Sequence, residues 1–246
     1  MQAMIFAAGK GTRLRPLTDN IPKALVNVGG CTLLQRQIEL LKGAGATLIV
    51  VNVHHLAPLI VSYLHENANF GANVVISDES DELLDTGGGL RKAAHLFTPD
   101  EPVLLHNVDI LSNICLAELY QQAAASTATA TLVVSERQTS RYLLFNDDMQ
   151  LVGWTNVTTG DVRSPYRDID PKQCRRYAFA GIHVVKQPLL QLMNAMPRKF
   201  GIIDFYLQMC ASTVIKGTVI PGLRLLDVGK QSTLAAADDF IKSLNI

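Results

Sequence analysis

The sequence has no excess of either charge. Lys plus Arg and Asp plus Glu both number 22 in 246 residues. That balance argues against the broad basic face that marks nucleic-acid binding, so any phosphate recognition must be local. No apolar run approaches the ~20 residues of a membrane-spanning helix. The four cysteines, Cys31, Cys115, Cys174 and Cys210, show no C-x-x-C spacing. They read as small buried hydrophobes in a reducing compartment, not as a disulfide frame or zinc site. The first residues lack a charged leader and reach Gly9 too soon for a secretory signal. These absences lead to the expectation of a cytoplasmic protein with neither nucleic acid nor membrane as partner. Hydrophobic residues make up 48% and charged residues 18%, which suits a compact fold and argues against disorder. The length fits one α/β domain over 1–246, and no linker or internal repeat divides it.

What is present is concentrated between Met4 and Leu25, MIFAAGKGTRLRPLTDNIPKAL. The opening residues Met4 to Ala8 are apolar without alternation and stop at glycine, the pattern of a buried strand. Gly9 and Gly11 then let backbone N–H groups turn toward an anion, because no Cβ blocks close approach. Arg13 and Lys23 add a planar cationic fork and a point charge. Together these make a cradle for a polyphosphate. The P-loop spacing G-x-x-x-x-G-K-[ST] is absent. The dinucleotide fingerprint G-x-G-x-x-G fails because its third glycine position holds Leu14.

The remaining chain alternates. Thr32 caps a helical stripe over 33–42, Thr47–Val53 reads as a buried strand, 58–67 as a helix and 73–77 as a strand. That alternation predicts an α/β fold, Rossmann-like, with a mainly parallel sheet flanked by helices. Asp85-Thr86-Gly87-Gly88-Gly89 precedes an expected helix over 90–97. Its glycines read either as an anion-facing helix start or as a flexible one. Pro102–Leu105 is a strand running into His106-Asn107-Val108-Asp109. An Asp at a strand's carboxyl end sits on the ligand face of such folds, though alone it reads equally as a turn or helix cap. A helix over 116–125 and strands over 127–135, 141–145, 151–154, 178–185, 214–219 and 223–227 follow. Helices over 189–193, 200–212 and 232–244 complete the chain, the last capped by Ser232 or Thr233.

The pattern G-x-G-T-R-L-x-P-L-T followed by P-K-A-L resembles the sugar-1-phosphate nucleotidyltransferase family. Its members join a nucleoside triphosphate to a sugar 1-phosphate, forming a nucleotide sugar and pyrophosphate. Leu83-Leu84-Asp85-Thr86-Gly87-Gly88-Gly89 is most similar to the subgroup acting on N-acetylmuramate 1-phosphate, although that subgroup more often has Glu at the place of Asp85. Phe179-x-Gly181-Ile182 resembles the family's F-x-G-I, and Leu226-Asp227-Val228-Gly229 its W-x-D-[IV]-G. The resemblance implies that Ala7, Ala8, Gly9, Gly11, Thr12, Arg13, Thr86, Gly87 and Gly88 bind the nucleotide. It implies that Lys23, Asn107 and Gly181 meet the sugar phosphate, that Asp109 and Asp227 hold Mg²⁺, and that Arg13 and Lys23 serve catalysis. The sugar-binding part would be a smaller inserted subregion. Many relatives carry there an E-K-P segment whose Lys grips the sugar phosphate. This chain has none, and Trp154-Thr155-Asn156 stands near its place, with Arg163, Arg167, Arg175 and Arg176 as nearby cations. UTP with N-acetylmuramate 1-phosphate is the expected pair, and GTP with mannose 1-phosphate the alternative. A protein that binds a nucleotide sugar without turnover is the alternative of another class.

Overall fold

The computed structural model describes residues 1–244. The chain begins with β1 (Gln2–Phe6), which is buried along its whole length, then β2 (Asn27–Val28) and β3 (Cys31–Thr32). Helix α1 (Leu33–Gly43) starts where the Thr32 side chain accepts a hydrogen bond from the Gln35 amide at 3.0 Å, so the expected cap is present. β4 (Leu48–Val53), α2 (Ala57–Glu66), β5 (Val74–Asp78) and α3 (Asp85–Ala93) follow. Next come β6 (Val103–Asn107), β7 (Ile110–Ser112), α4 (Leu116–Ala125) and β8 (Ala130–Ser135). The middle region holds β9 (Arg141–Phe145), β10 (Leu151–Asn156), β11 (Val162–Arg163) and the long β12 (Arg175–Val185). α5 (Gln187–Leu192), α6 (Ile202–Met209), β13 (Ile215–Val219), β14 (Leu225–Asp227), α7 (Gln231–Leu234) and α8 (Ala237–Leu244) close the fold.

Four parallel strands, in the order β5-β4-β1-β6, form the centre of a ten-stranded mixed sheet. β12 joins β6 antiparallel and carries the sheet onward to β9, β10 and β11 on one path and to β8 and β13 on another. Alternation along β1 divides the core. Ala3 and Ile5 face one side, packed with Leu34, Ile38 and Leu41 of α1 and with apolar residues of α2, α4 and α8. Met4 and Phe6 face the other, under Leu90 of α3 and the α5 and α6 residues Leu189, Phe205 and Tyr206. Each fully buried Leu or Ile contributes roughly 1.5–3 kcal/mol here. The expected α/β architecture is therefore present, with a parallel core and a more antiparallel flank than the sequence implied. The flank is antiparallel because β9, β10 and β12 are joined by hairpins and loops, not by crossover helices.

Two expected elements are corrected. α3 begins at Asp85, five residues before the expected 90–97 helix, so the three glycines lie inside it. They lack side chains for a steric reason: a Cβ at Gly87 would sit 2.3 Å from the Phe200 ring, and one at Gly88 2.7 Å from the Arg198 carbonyl. The expected closing helix over 232–244 is two helices, α7 and α8, and Lys230 occupies the cap position in place of Ser232 or Thr233.

Candidate active site

The carboxyl ends of β1, β4 and β6 lie side by side, with Phe6 in register with both Asn52 and Asn107. In parallel sheets this edge is where ligands bind. The loop leaving β1 is anchored by Asn52. Its Oδ1 accepts from the Ala7 amide at 2.8 Å and the Ala8 amide at 3.4 Å. Its Nδ2 donates to Glu79 Oε1 at 2.7 Å, which fixes which end of the amide faces the loop. Glu79 Oε2 in turn accepts from the Leu84 amide, so one buried carboxylate ties the glycine loop to the start of α3. Burial pushes the Glu79 carboxyl above its usual range, against these two hydrogen bonds. Sequence reading missed Asn52 and Glu79, since an Asn in an apolar strand and an acid in a charged loop carry no motif.

Gly9 is exposed, and a Cβ there would meet nothing within 4 Å. Gly11 has φ 64°, in the left-handed region, and accepts from Thr18 Oγ1 at 2.8 Å. Thr12 and Arg13 form a single 3₁₀ turn directly after it. Ala8 and Gly9 also line a cavity of about 350 Å³ with Phe6, Asn52, Asp85 and Thr86. Thr86 thus reaches the space beside the glycine loop, while its Oγ1 accepts from the Ile202 amide. Gly87 and Gly88 do not offer their amides to it. Both N–H groups donate to the Phe200 carbonyl, at 2.9 and 3.1 Å. For these two glycines the anion-facing reading is corrected: both amides are already occupied. Ala7, likewise, has its amide committed to Asn52.

Four expected site residues from distant parts of the chain converge. β14 pairs with β7 so that Asp227 lies opposite Ile110, the residue after Asp109, and the Val228 amide donates to the Asp109 carbonyl at 2.9 Å. Lys23 forms an ion pair with Asp109 Oδ2, both side chains nearly buried. A methyl group added at Gly229 would lie 2.7 Å from Arg13 Nη2, 2.7 Å from Asp227 Oδ1 and 3.0 Å from Asp109 Oδ2. The guanidinium and both carboxylates therefore ring one small space over a residue with no side chain. Asn107 and Gly181 also meet: Gly181 has φ 76° at the bulge of β12, and a Cβ on it would come 2.7 Å from Asn107 Nδ2.

Among the described residues no group of three or more His, Cys, Asp or Glu side chains forms a metal cage. Asp109 and Asp227 are two hard oxygen donors close to Arg13 of the glycine loop. That set suits Mg²⁺, which takes one or two carboxylates and fills its sphere with phosphate oxygens and water.

From Arg13 and Asp227 a cleft of about 730 Å³ runs out over the antiparallel flank to Arg137, Arg141, Trp154 and Arg163. Of the four cations singled out near the missing E-K-P lysine, only Arg163 lines it. Arg175 pairs with Asp147 instead, and Arg167 faces a separate cavity with Asp168 and Asp170.

Parallel strands with a glycine loop at their carboxyl edge, two cations and two facing carboxylates define an α/β protein built to handle nucleoside phosphates. The chain belongs to the nucleotidyl transferase family, whose model matches residues 2–144. It is 30% identical over 240 residues to the N-acetylmuramate α-1-phosphate uridylyltransferase of Caulobacter vibrioides, covering 95% of this chain and 94% of that one. It is 39% identical over 125 residues to the enzyme of the same name from Neisseria meningitidis, covering 51% of this chain and 54% of the relative. A mannose-1-phosphate guanyltransferase of Candida albicans is 35% identical over 200 residues, covering 80% of this chain and 53% of the relative. The fold matches a crystal structure of a putative glucose-1-phosphate thymidylyltransferase from Bacillus anthracis, with TM-score 0.81, 17% identity and coverage of 100% and 97% of the two chains.

Proposed function

We propose that this enzyme transfers the nucleotidyl group of UTP to N-acetylmuramate 1-phosphate, in the cytoplasm, releasing pyrophosphate. The observation that carries the reading is the meeting of Arg13, Asp109 and Asp227 over Gly229, with Lys23 paired to Asp109. The choice of sugar and base follows the relative that matches nearly the whole chain.

The sugar phosphate is already an anion at neutral pH, so it needs no general base to become a nucleophile. One of its oxygens attacks the α-phosphorus, the bond to the bridging oxygen of the β-phosphate breaks, and pyrophosphate leaves with that electron pair. The obstacles are bringing two anions together and stabilising charge on the leaving group. Positioning and electrostatics meet both. Gly9 and Gly11 allow the triphosphate close to the backbone. Arg13 faces the β- and γ-phosphates as charge grows on them. Lys23, nearer the reacting centre, attracts the α-phosphate and the sugar phosphate. Asn107 and Gly181 border the sugar phosphate, and Ala8, Asp85 and Thr86 border the base. Asp109 and Asp227 would hold Mg²⁺, which would supply neutralisation of phosphate charge.

The test is pyrophosphate release from UTP, GTP, CTP, dTTP and ATP, each against N-acetylmuramate, mannose and glucose 1-phosphates, with Mg²⁺ and with chelator. Release from UTP and N-acetylmuramate 1-phosphate, abolished by chelator, is expected. Release confined to GTP and mannose 1-phosphate would move the assignment to the second group of relatives. Tight calorimetric binding of a nucleotide sugar with no release from any pair would replace the transferase reading with a binding protein.

A further inference from the structure

The chain is neutral as a whole, yet the outer cleft is not. Three arginines reach it from three separate elements. Arg137 comes from the loop after β8, Arg141 opens β9, and Arg163 lies on β11. Arg163 is already satisfied, with Nη2 2.6 Å from Asp204 Oδ1 and its guanidinium 5.6 Å from the centre of the Trp154 ring. The other two are not. Arg137 donates only to a neutral acceptor, the Phe179 carbonyl at 3.2 Å. Among the described residues neither Arg137 nor Arg141 has a carboxylate within ion-pair distance. Asp227, the remaining acid of the cleft, stands with Arg13 at the other end.

Of the other cations, Lys230 also lines the cleft but directly follows Gly229, at the Arg13 and Asp227 end. Arg13 faces the triphosphate, and Lys23 is held at the reacting centre. Two guanidinium groups then remain at the sugar end, beside the only tryptophan of the chain. A neutral sugar would leave them facing water. An acidic one would pair with them, since the planar fork of arginine matches a carboxylate with two parallel hydrogen bonds. We infer that Arg137 and Arg141 form a carboxylate subsite, and that the acceptor is a sugar 1-phosphate bearing a carboxylate on its ring substituent. The inference rests on the transferase reading and deepens it: it names the residues that select the acid. The rival role for these arginines is to grip the sugar's own phosphate in place of the missing E-K-P lysine.

The two roles separate with one pair of substrates, N-acetylmuramate 1-phosphate and the same compound with its lactyl carboxylate converted to the primary amide. The amide keeps the size and the 1-phosphate and removes the charge. For the wild-type protein the ratio of kcat/KM, acid over amide, is expected to exceed ten. In Arg137→Gln and Arg141→Gln that ratio is expected to fall roughly tenfold to a hundredfold, the worth of a charge-assisted hydrogen-bonded pair. Arg141→Lys, which keeps the charge but loses the fork, is expected to fall between. A wild-type ratio near one overturns the subsite. So does an unmoved ratio in both Gln variants, whether because the two substrates suffer equally, as a 1-phosphate grip predicts, or because neither suffers. Absence of pyrophosphate release by the wild-type protein with both compounds strikes the transferase reading itself, a result distinct from an unmoved ratio.

Discussion

Gly229 shows how one missing side chain can organise a site. Arg13, Asp109 and Asp227 come from 13, 109 and 227 positions along the chain, and all three approach the point a methyl group on Gly229 would occupy. Its amide also donates to Asp227 Oδ1 at 2.8 Å, which aims that carboxylate. Gly229→Ala is expected to push Arg13 and Asp227 apart by about an ångström. A misplacement of that size costs roughly 100-fold in kcat, with the thermal midpoint changed by a few degrees at most. Steady-state kinetics beside a melting curve check it, and full activity in the variant would show that the three groups do not act together. At this scale the sequence was partly legible. Arg13, Lys23, Asp109 and Asp227 stand in recognisable motifs. Asn52 and Glu79 do not, because their role is to hold backbone amides that only folding brings within reach. Arg137 and Arg141 were also overlooked: the cations nearest the expected E-K-P position are Arg163 and its neighbours, and the hairpin β9–β10 had to form before Arg141 could be seen across from Asn156.

At the scale of elements, α3 is the instructive case. Glycine lowers helix propensity by about 1 kcal/mol relative to Ala, so three in succession argued for a helix that starts after them. The helix starts before them, and the segment 198–200 packs onto its first turns too closely for a Cβ at Gly87 or Gly88. Tertiary packing outweighs local propensity here. Gly87→Ala is therefore expected to destabilise the protein, by about 1–3 kcal/mol, through overpacking against Phe200. Urea unfolding measures it. A stabilised variant, as propensity alone would give, would show that the Phe200 segment yields freely. Regular elements were read better: the sequence placed α4 and β9 at their observed limits, since apolar periodicity and flanking turn residues agree there.

For the whole molecule the buried histidines set an acid limit. His106 and His183 are both buried in the sheet, and burial pulls their imidazoles down to about 4 and about 3, from 6.5. His183 is held by Tyr206, whose hydroxyl is 2.6 Å from Nδ1. Below pH 6.5 the unfolded chain binds protons that the folded one refuses, so stability falls as the pH drops, and the loss levels off only beneath the folded-state values. By pH 4.5 each histidine removes about 2–3 kcal/mol. Glu79, raised by burial, works the other way and regains a part as the pH falls toward 4.5. Urea unfolding at pH 7 and pH 4.5 is expected to show a smaller loss in His183→Gln than in the wild type. An equal loss in both would place the acid sensitivity elsewhere.

The sequence by itself determined the family, the parallel core and the cations and carboxylates of the centre. These are written in local patterns: apolar runs that end at glycine, motif spacing, and acids at strand ends. The tertiary structure alone decided which donors are free. The amides of Ala7, Gly87 and Gly88 are taken by Asn52 and Phe200, 45 positions away for Ala7 and over 100 for the glycines. It also decided which arginines share the cleft, because strand pairing across the antiparallel flank sets their neighbours. A hydrogen bond or an ion pair depends on distance in space, and the chain's order does not encode that distance until the sheet has closed around it.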